Sequence, residues 1–517
     1  MTPVHTSRSH QSAYALVPWL SYLWSRVLFP GQPHTERRAS LTALLLLLIL
    51  PGLLLYPCLS FHLFEPDEGR YAEIPREMLE RGDWIVPYLQ GEPYLEKPPL
   101  FYWLVMLSFG CFGAFDWAAR LVPALALHAT ILTTYGLGRR SLGERAAFWG
   151  ALALGLAPGF LGMGRLLLLD GVLTLCMTVS LLAAFEAIRG AVFRWSWWSV
   201  AAVACGLGIL TKGPIALVLL VPPLVLQRYL HKTGCAITWK RWAAFLMMAA
   251  LVVLPWYVAI SLRMPDFVSE FLIKHNLQRF LDPFDHERPI WFYGPVLLGG
   301  LLPATLLLIP FVRFLLSGDE AIAKLRCPEL GYFLLAGGWC VFFFSLSGCK
   351  LPTYIMPAFP PLALALGHYV SVSRWRQSRW TIATGGAAFG LLACAHYVVV
   401  PYYAEFRSPM GRADEVATYC KDKPVICYPR HCDSVAFYLG RDDFRSYRSK
   451  ETPTLIQDLL DQPRTVILFT HRHSLEGLRL VLPPQLKLVK ETPLSGSWRD
   501  WMKPEYCYMA IVKRIDH

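Results

Sequence analysis

Asparagine is almost missing from this 517-residue chain, and Asn276 is its one example. It stands in Asn-Leu-Gln, so the chain offers no Asn-x-Ser/Thr acceptor for N-glycosylation. Charge is also scarce, at 17 % of residues against 55 % hydrophobic. Apolar runs of about twenty residues recur, which together with this composition implies a polytopic helical membrane protein. No long basic tract occurs. The net charge of +12 is divided among short connections such as RRSLGER (139–145), RYLHKTGCAITWKR (228–241) and SRWRQSR (373–379). That division argues against a nucleic-acid partner and for loops left on the cytoplasmic side of a membrane. The thirteen cysteines show no zinc-type spacing, and many lie in apolar runs where Cys packs as a small hydrophobe. Cys420, Cys427, Cys432 and Cys507 fall in a polar C-terminal part, where a disulfide requires an oxidising compartment. No internal repeat is visible, which disfavours a transporter.

Sidedness follows from the basic loops. The first apolar run, 41–62, lies behind Arg37-Arg38 and lacks a small-residue cleavage site, so it reads as a retained anchor that exits to the outside. The preceding AYALVPWLSYLWSRVLFP (13–30), interrupted by Arg26, reads as interfacial. RRSLGER returns to the inside only if one of the next two apolar segments fails to cross. PPLFYWLVMLSFGCFGAF (98–115), broken by Gly110 and Gly113, is expected to stay in the outer interface, and RLVPALALHATILTTYGLG (120–138) to span. The later runs then alternate to a total of eleven spans, with Lys212-Gly213-Pro214 as a tight external turn.

After residue 400, KPVICY, RTVILFT, QLKLVKE and YCYMAIVKR have strand patterns, and TPTLIQDLLDQP and HSLEGLRLVLP helical ones. The expected class is therefore an all-α membrane body with a small α/β domain. Its expected divisions are an N-terminal segment 1–40, a transmembrane body 41–400 and an extracytoplasmic domain 401–517. His471 and His473 are either a solvated loop pair or metal ligands, with the first favoured.

Polar residues collect on the outer side. EPDEGRYAE (65–73) sets four carboxylates at the mouth of the first span. EGRYAEIPREMLER (68–81) has the pattern of an amphipathic helix lying along the membrane, on which Arg70, Glu73, Arg76, Glu77 and Glu80 form solvated pairs. Asp170 follows four leucines at the edge of an apolar helix; it either pairs with Arg165 or serves a site, since ionisable groups at membrane depth are costly.

EPDEGRYAE with IPREML (74–79) and GDWIVPYL (82–89), then EKPPLFYW (96–103), LTKG (210–213), HNLQRF (275–280) and CKLPTYIMP (349–357), resemble a known set of motifs in order and spacing. The set is that of the bacterial lipid A 4-amino-4-deoxy-L-arabinose transferases and, more distantly, the protein O-mannosyltransferases. The resemblance covers about residues 40 to 370. It implies the GT-C fold, a bundle of membrane helices with interfacial helices in a long first outer loop. The resembled lipid A enzymes carry two further spans before their C-terminal domain. The implied reaction moves a sugar from an undecaprenyl phosphate type donor to an envelope acceptor at the periplasmic face of the bacterial inner membrane. Lipid A or a related glycolipid is the first acceptor, with a protein hydroxyl as the alternative and a lipid-linked sugar flippase as the non-enzymatic reading.

Such a donor needs its leaving phosphate held, its acceptor positioned and, for a hydroxyl acceptor, a proton removed. By resemblance Lys97 meets the phosphate and Asp67 is the base or orienting carboxylate, with Asp170 beside them as a catalytic candidate. Arg279 and Lys350 are candidate second cations, open against lipid anchoring and snorkelling. Glu68 either shares the role of Asp67 or caps the following helix. Arg70, Tyr71, Arg165 and Tyr354 complete the substrate-binding candidates. Glu96 and His275 combine in the resembled enzymes to hold a divalent cation, here zinc, magnesium or manganese; the alternative pairs Glu96 with Lys97 or Arg279.

Overall fold

The computed structural model describes residues 34–230, 234–278, 286–470, 472–494 and 507–515. The segment 13–30, Arg279 and His471 lie outside them. Among the described residues six helices are long and apolar enough to cross a membrane: Asp116–Leu142, Asp170–Ile188, Trp239–Arg263, Pro328–Leu346, Pro352–Val372 and Arg379–Glu405. Two bent pairs raise the count to eight if each is one span. Glu144–Gly155 turns by 54° into Pro158–Gly164, and Ile290–Gly300 by 102° into Ala304–Leu316. Proline stands at both breaks, Pro158 and Pro303, where its missing N–H and its ring interrupt the helical ladder. The chain is thus a multi-pass helical membrane protein.

Helix Asp170–Ile188 is buried almost all round at the centre of the bundle, whereas Trp239–Arg263 and Arg379–Glu405 present Leu251, Leu262, Ile382 and Leu391 outward. These two faces need lipid in place of water. At one end of the bundle Glu186, 1 % exposed, pairs with Arg189, Arg194 and Arg140 at 2.7, 3.2 and 3.5 Å. The basic residue Arg140 of RRSLGER therefore also satisfies a buried carboxylate.

Leu100–Phe112 is a helix of 13 residues. At about 1.5 Å per residue it is too short for a hydrocarbon core of about 30 Å, in keeping with a segment that does not cross. Trp195–Lys212 ends at Gly213, whose φ of 90° is the left-handed geometry that glycine alone takes readily.

The C-terminal sheet runs in the order Arg445–Ser446, Val425–Tyr428, Arg464–Phe469, Tyr508–Arg514, Leu486–Pro493, parallel across the first three and antiparallel across the last. All four strands and both helices read from the pattern are present; the short helices Ala413–Cys420 and Asp433–Leu439 and the two-residue edge strand were not foreseen. Cys420, Cys427, Cys432 and Cys507 meet in one buried cluster of this domain.

Helix Asp433–Leu439 packs on helix Asp67–Arg81, and this contact corrects the expectation of a solvated amphipathic face. Glu73, Arg76 and Glu77 are all buried. Arg76 binds Glu73 through two hydrogen bonds of 2.7 and 2.5 Å and donates a third, 3.1 Å long, to the carbonyl of Arg441. Glu77 accepts from the amides of Gln90 and Gly91 at 2.6 and 3.0 Å. The charged face is covered because a second domain sits on it, which periodicity cannot reveal. Gly69 permits the approach: a Cβ there would stand 2.5 Å from the amide nitrogen of Ser434.

Candidate active site

Five of the motifs meet at the end of the bundle beneath the C-terminal domain. Asp67, Arg70 and Tyr71 come from the first two turns of helix Asp67–Arg81, Glu96 and Lys97 from the Pro-rich entry to Leu100–Phe112, and Asp170 from the first turn of the central helix. Lys212 of LTKG reaches Asp170 at 2.5 Å and lies 4.2 Å from the ring centroid of Tyr354. The expected Arg165–Asp170 pair is thus replaced by a pair spanning 42 residues. Gly213 abuts Phe271 and Asn276 of the HNLQ segment, which forms a π-helix over Ser269–Gln278.

Electrostatics tie these groups into one site. Burial pushes the Tyr71 phenol well above its ordinary pKa; the carboxylates of Asp67, Glu96 and Asp170 add to this and Arg70 opposes it. Five side chains from three segments therefore share one field. Burial works against the Arg70 charge, but Tyr94, Tyr71, Asp433 and Glu96 around it outweigh that and hold its pKa above the usual value. The Arg70 guanidinium stands 5.9 Å from the centroid of the Tyr94 ring. For Glu96 burial favours the neutral acid, yet Lys97, His275, Arg70 and the Tyr94 hydroxyl, which donates to it at 3.0 Å, hold its pKa below the usual range. Lys97 donates to the Glu96 carbonyl at 3.0 Å. Asp67 is exposed, and Tyr102 carries a buried hydroxyl without a hydrogen bond among the described residues.

Glu96 and His275 do come together: Oε2 and Nδ1 are 3.8 Å apart, beyond a hydrogen bond and near the about 3.4 Å between two tetrahedral ligands with bonds of about 2.1 Å. Glu270 lies 3.7 Å from the other ring nitrogen. Among the described residues no group of three His, Cys, Asp or Glu side chains suited to a metal occurs.

Three expected site residues have other partners. Glu68, 2 % exposed, accepts two hydrogen bonds from Arg120 at 2.9 and 2.6 Å, and further ones from the amides of Leu167 at 2.7 Å and Phe64 at 2.9 Å. Its oxygens are saturated by protein donors, so substrate binding is not its part. Arg165 is buried and donates to the carbonyls of Pro57, Cys58 and His396, away from the converging set. Lys350, 4 % exposed, donates to the carbonyls of Ser347 and Arg288, so neither a snorkelling residue nor a free phosphate ligand describes it. Arg120, the fully buried partner of Glu68, was missed; an arginine near the start of an apolar helix in DWAARLVP is the signal that marks it.

Glu65 faces the C-terminal domain and accepts from the Ser434 amide at 2.6 Å. Burial pushes its carboxyl from 4.5 up to about 7, and burial together with Glu65 raises Asp433 well above its usual value. A carboxyl raised on docking is ionised sooner in the undocked chain, so this contact is strongest below about pH 4.5 and weakens as pH rises through about 7. The thermal midpoint in detergent is expected to be lower at pH 8 than at pH 5, with Glu65→Gln flattening the difference. An equal slope in that variant rejects the assignment.

With this geometry in view, the likeness to known proteins takes on detail. ArnT from Cupriavidus metallidurans, in a crystal structure bound to undecaprenyl phosphate, superimposes with a TM-score of 0.72 over 90 % of this chain and 97 % of that one, at 20 % identity. The family described as dolichyl-phosphate-mannose-protein mannosyltransferase matches residues 39–271. An undecaprenyl phosphate-alpha-4-amino-4-deoxy-L-arabinose arabinosyl transferase of Pseudomonas fluorescens is 36 % identical over 364 residues, 68 % of this chain and 61 % of its own. Its counterpart in Serratia proteamaculans is 34 % identical over 372 residues, 69 % of this chain and 65 % of its own. The chain thus covers somewhat less than two thirds of these relatives. The resemblance drawn from the motifs is borne out.

Proposed function

We propose that this protein is a glycosyltransferase of eleven spans that moves a sugar from an undecaprenyl phosphate donor onto lipid A or a related glycolipid. Its site and C-terminal domain face the periplasm, outside the inner membrane. The observation that carries this reading is the convergence of Asp67, Arg70, Tyr71, Glu96 and Asp170 on one neighbourhood, with Lys97 at its edge. Each of the eleven apolar runs overlaps a helix or a bent helix pair, the first of them only as far as Leu55. Sidedness is supported by helix Asp116–Leu142. Its first residue accepts from Tyr438 of the C-terminal domain at 3.1 Å, and its last turn carries Arg139 and Arg140 of the basic loop, about 40 Å away along 27 residues.

In the proposed reaction the bond from the anomeric carbon to the donor phosphate breaks while an acceptor oxygen bonds to that carbon, and undecaprenyl phosphate leaves. Lys97 stabilises charge on the leaving phosphate, and Asp67 orients the acceptor or takes its proton if it is a hydroxyl. A phosphate acceptor is already ionised and needs orientation alone. Lys212, held between Asp170 and the Tyr354 ring, keeps a positive charge fixed beside the reacting groups. Glu96 and His275 would hold a divalent cation, completed by donor oxygens or water, whose contribution is further positive charge.

The test is mass spectrometry of product formed by the purified protein from undecaprenyl phosphate-aminoarabinose and lipid A. Transfer is expected, together with loss of most turnover after metal removal by a chelator and recovery on adding Zn²⁺, Mg²⁺ or Mn²⁺. Full turnover after verified removal rejects the cation, and no transfer to any glycolipid or protein hydroxyl rejects the enzyme.

A further inference from the structure

We propose that the end of the bundle remote from the candidate active site holds a phospholipid headgroup carrying both a phosphate and an ammonium, as phosphatidylethanolamine does. This inference does not depend on the reaction proposed above.

A cavity of about 830 Å³ lies there, within the range of about 300–1,000 Å³ usual for small-molecule sites. Its walls are the last residues of helix Asp170–Ile188, the last turns of Ile215–Leu230, the segment 234–237 and the start of Pro328–Leu346. Helix Asp170–Ile188 begins in the candidate active site, so its 19 residues hold the two places about 28 Å apart. That separation is close to the thickness of a hydrocarbon core. The walls are held together by specific contacts. Phe185 stacks on Tyr332 with 4.3 Å between ring centroids, and the Tyr332 hydroxyl donates to the carbonyl of Leu181 at 2.9 Å. The Cys235 amide donates to the Ile188 carbonyl at 2.8 Å, and a Cβ at Gly234 would stand 2.5 Å from the same oxygen.

Positive charge is in excess at this cavity. Arg189 on its wall stands 2.7 Å from Glu186 and donates to the carbonyl of Arg140 at 2.6 Å. Glu186 is also shared by Arg140 and Arg194, so three guanidinium groups face one carboxylate and two positive charges are left over. Arg228 lines the cavity too, is exposed, and makes no hydrogen bond or ion pair among the described residues. Two acceptors accompany these cations. Glu329, half-buried, makes no ion pair among the described residues, and Gln227, 7 % exposed, has a carboxamide oxygen without a hydrogen bond among them. A buried acceptor without a donor is costly, and a ligand that brings an N–H relieves that cost.

Arginines, a carboxylate and an amide oxygen around one cavity match a zwitterion. Its phosphate accepts from Arg189 and Arg228, and its ammonium donates to Glu329 and Gln227. A lipid with a phosphate but no amine leaves both acceptors unmet. Trp242 and Val225 add apolar wall, and Val225, 39 % exposed on an apolar helix, opens the cavity toward surrounding lipid, which favours a membrane lipid over a water-borne phosphate.

The experiment titrates the full-length protein, stripped of lipid in detergent at pH 7.5, with dioleoyl phosphatidylethanolamine or dioleoyl phosphatidylglycerol. Native mass spectrometry reads the bound lipid in wild type, Arg228→Ala and Glu329→Gln. The wild type is expected to bind phosphatidylethanolamine about 10-fold or more tighter than phosphatidylglycerol. Arg228→Ala is expected to weaken both lipids about 10- to 100-fold, the loss of one hydrogen bond to a charged group. Glu329→Gln is expected to weaken phosphatidylethanolamine alone, to the level of phosphatidylglycerol. Free phosphoethanolamine at the same concentrations is expected to leave the lipid bound; displacement assigns the cavity to a soluble phosphorylated amine and overturns the lipid. Equal binding of the two lipids by the wild type, or unchanged phosphatidylethanolamine binding in Arg228→Ala, also overturns the inference. Thermal midpoints without lipid are expected to match the wild type in both variants. If a variant fails that control, the wild-type preference between the two lipids decides the matter by itself.

Discussion

Asp67→Asn is expected to lower the turnover number by about 10²- to 10⁴-fold, the range a positioned acid or base contributes, while the thermal midpoint stays at its wild-type value. Asp67 is exposed and makes no hydrogen bond or ion pair among the described residues. Its structural contribution is limited to a favourable place in the first turn of helix Asp67–Arg81, worth about 0.3–1 kcal/mol. Its charge is felt at Tyr71 together with those of Arg70, Glu96 and Asp170, which is why the proposed reaction gives it a part. Lys97→Ala is expected to match this loss by removing the cation at the leaving phosphate. Steady-state rates measured by product mass spectrometry check both, and wild-type rates in the two variants remove these residues from the mechanism.

Glu68→Ala, one position further on, is expected to behave in the opposite way. It leaves the Arg120 guanidinium fully buried without its carboxylate, and loss of one partner from a buried ion pair destabilises by about 3–5 kcal/mol. Arg120 also donates to the carbonyls of Leu59, Phe61 and His62, so the same change loosens the turn that leads into EPDEGR. The expected result is a markedly lower thermal midpoint in detergent, partly restored by also replacing Arg120 with methionine, an apolar side chain of similar length. A Glu68→Ala variant as stable as wild type but inactive returns Glu68 to the substrate. Two adjacent carboxylates thus give contrasting signatures, one in rate and one in stability.

Legibility from the sequence varied with the range of the interactions involved. Helix Leu100–Phe112 was separable from the spans because loop charge and run length, both local quantities, decide it. The strands Val425–Tyr428 and Arg464–Phe469 showed as short apolar runs between turn residues. Helix Asp433–Leu439 was missed, since seven residues hold too few turns for a period to emerge. Within the site, Asp67, Lys97, Glu96, His275 and Asp170 were marked by motif and by ionisable groups beside apolar runs. The same signals also marked Glu68, Arg165 and Lys350, which the fold uses for its own hydrogen bonds.

The amino-acid sequence alone determined that this is a multi-pass helical membrane protein and, through its motifs, which polar residues gather at one end of the bundle. It could do so because a bilayer imposes a free energy on each residue according to depth, and that term is additive along the chain. Tertiary structure decided which of those polar groups satisfy one another: Lys212 rather than Arg165 beside Asp170, Arg120 against Glu68, and the C-terminal domain over the charged face of helix Asp67–Arg81. Buried hydrogen bonds and ion pairs form between whichever groups the packing brings within about 3 Å, and that proximity arises only when distant segments fold together.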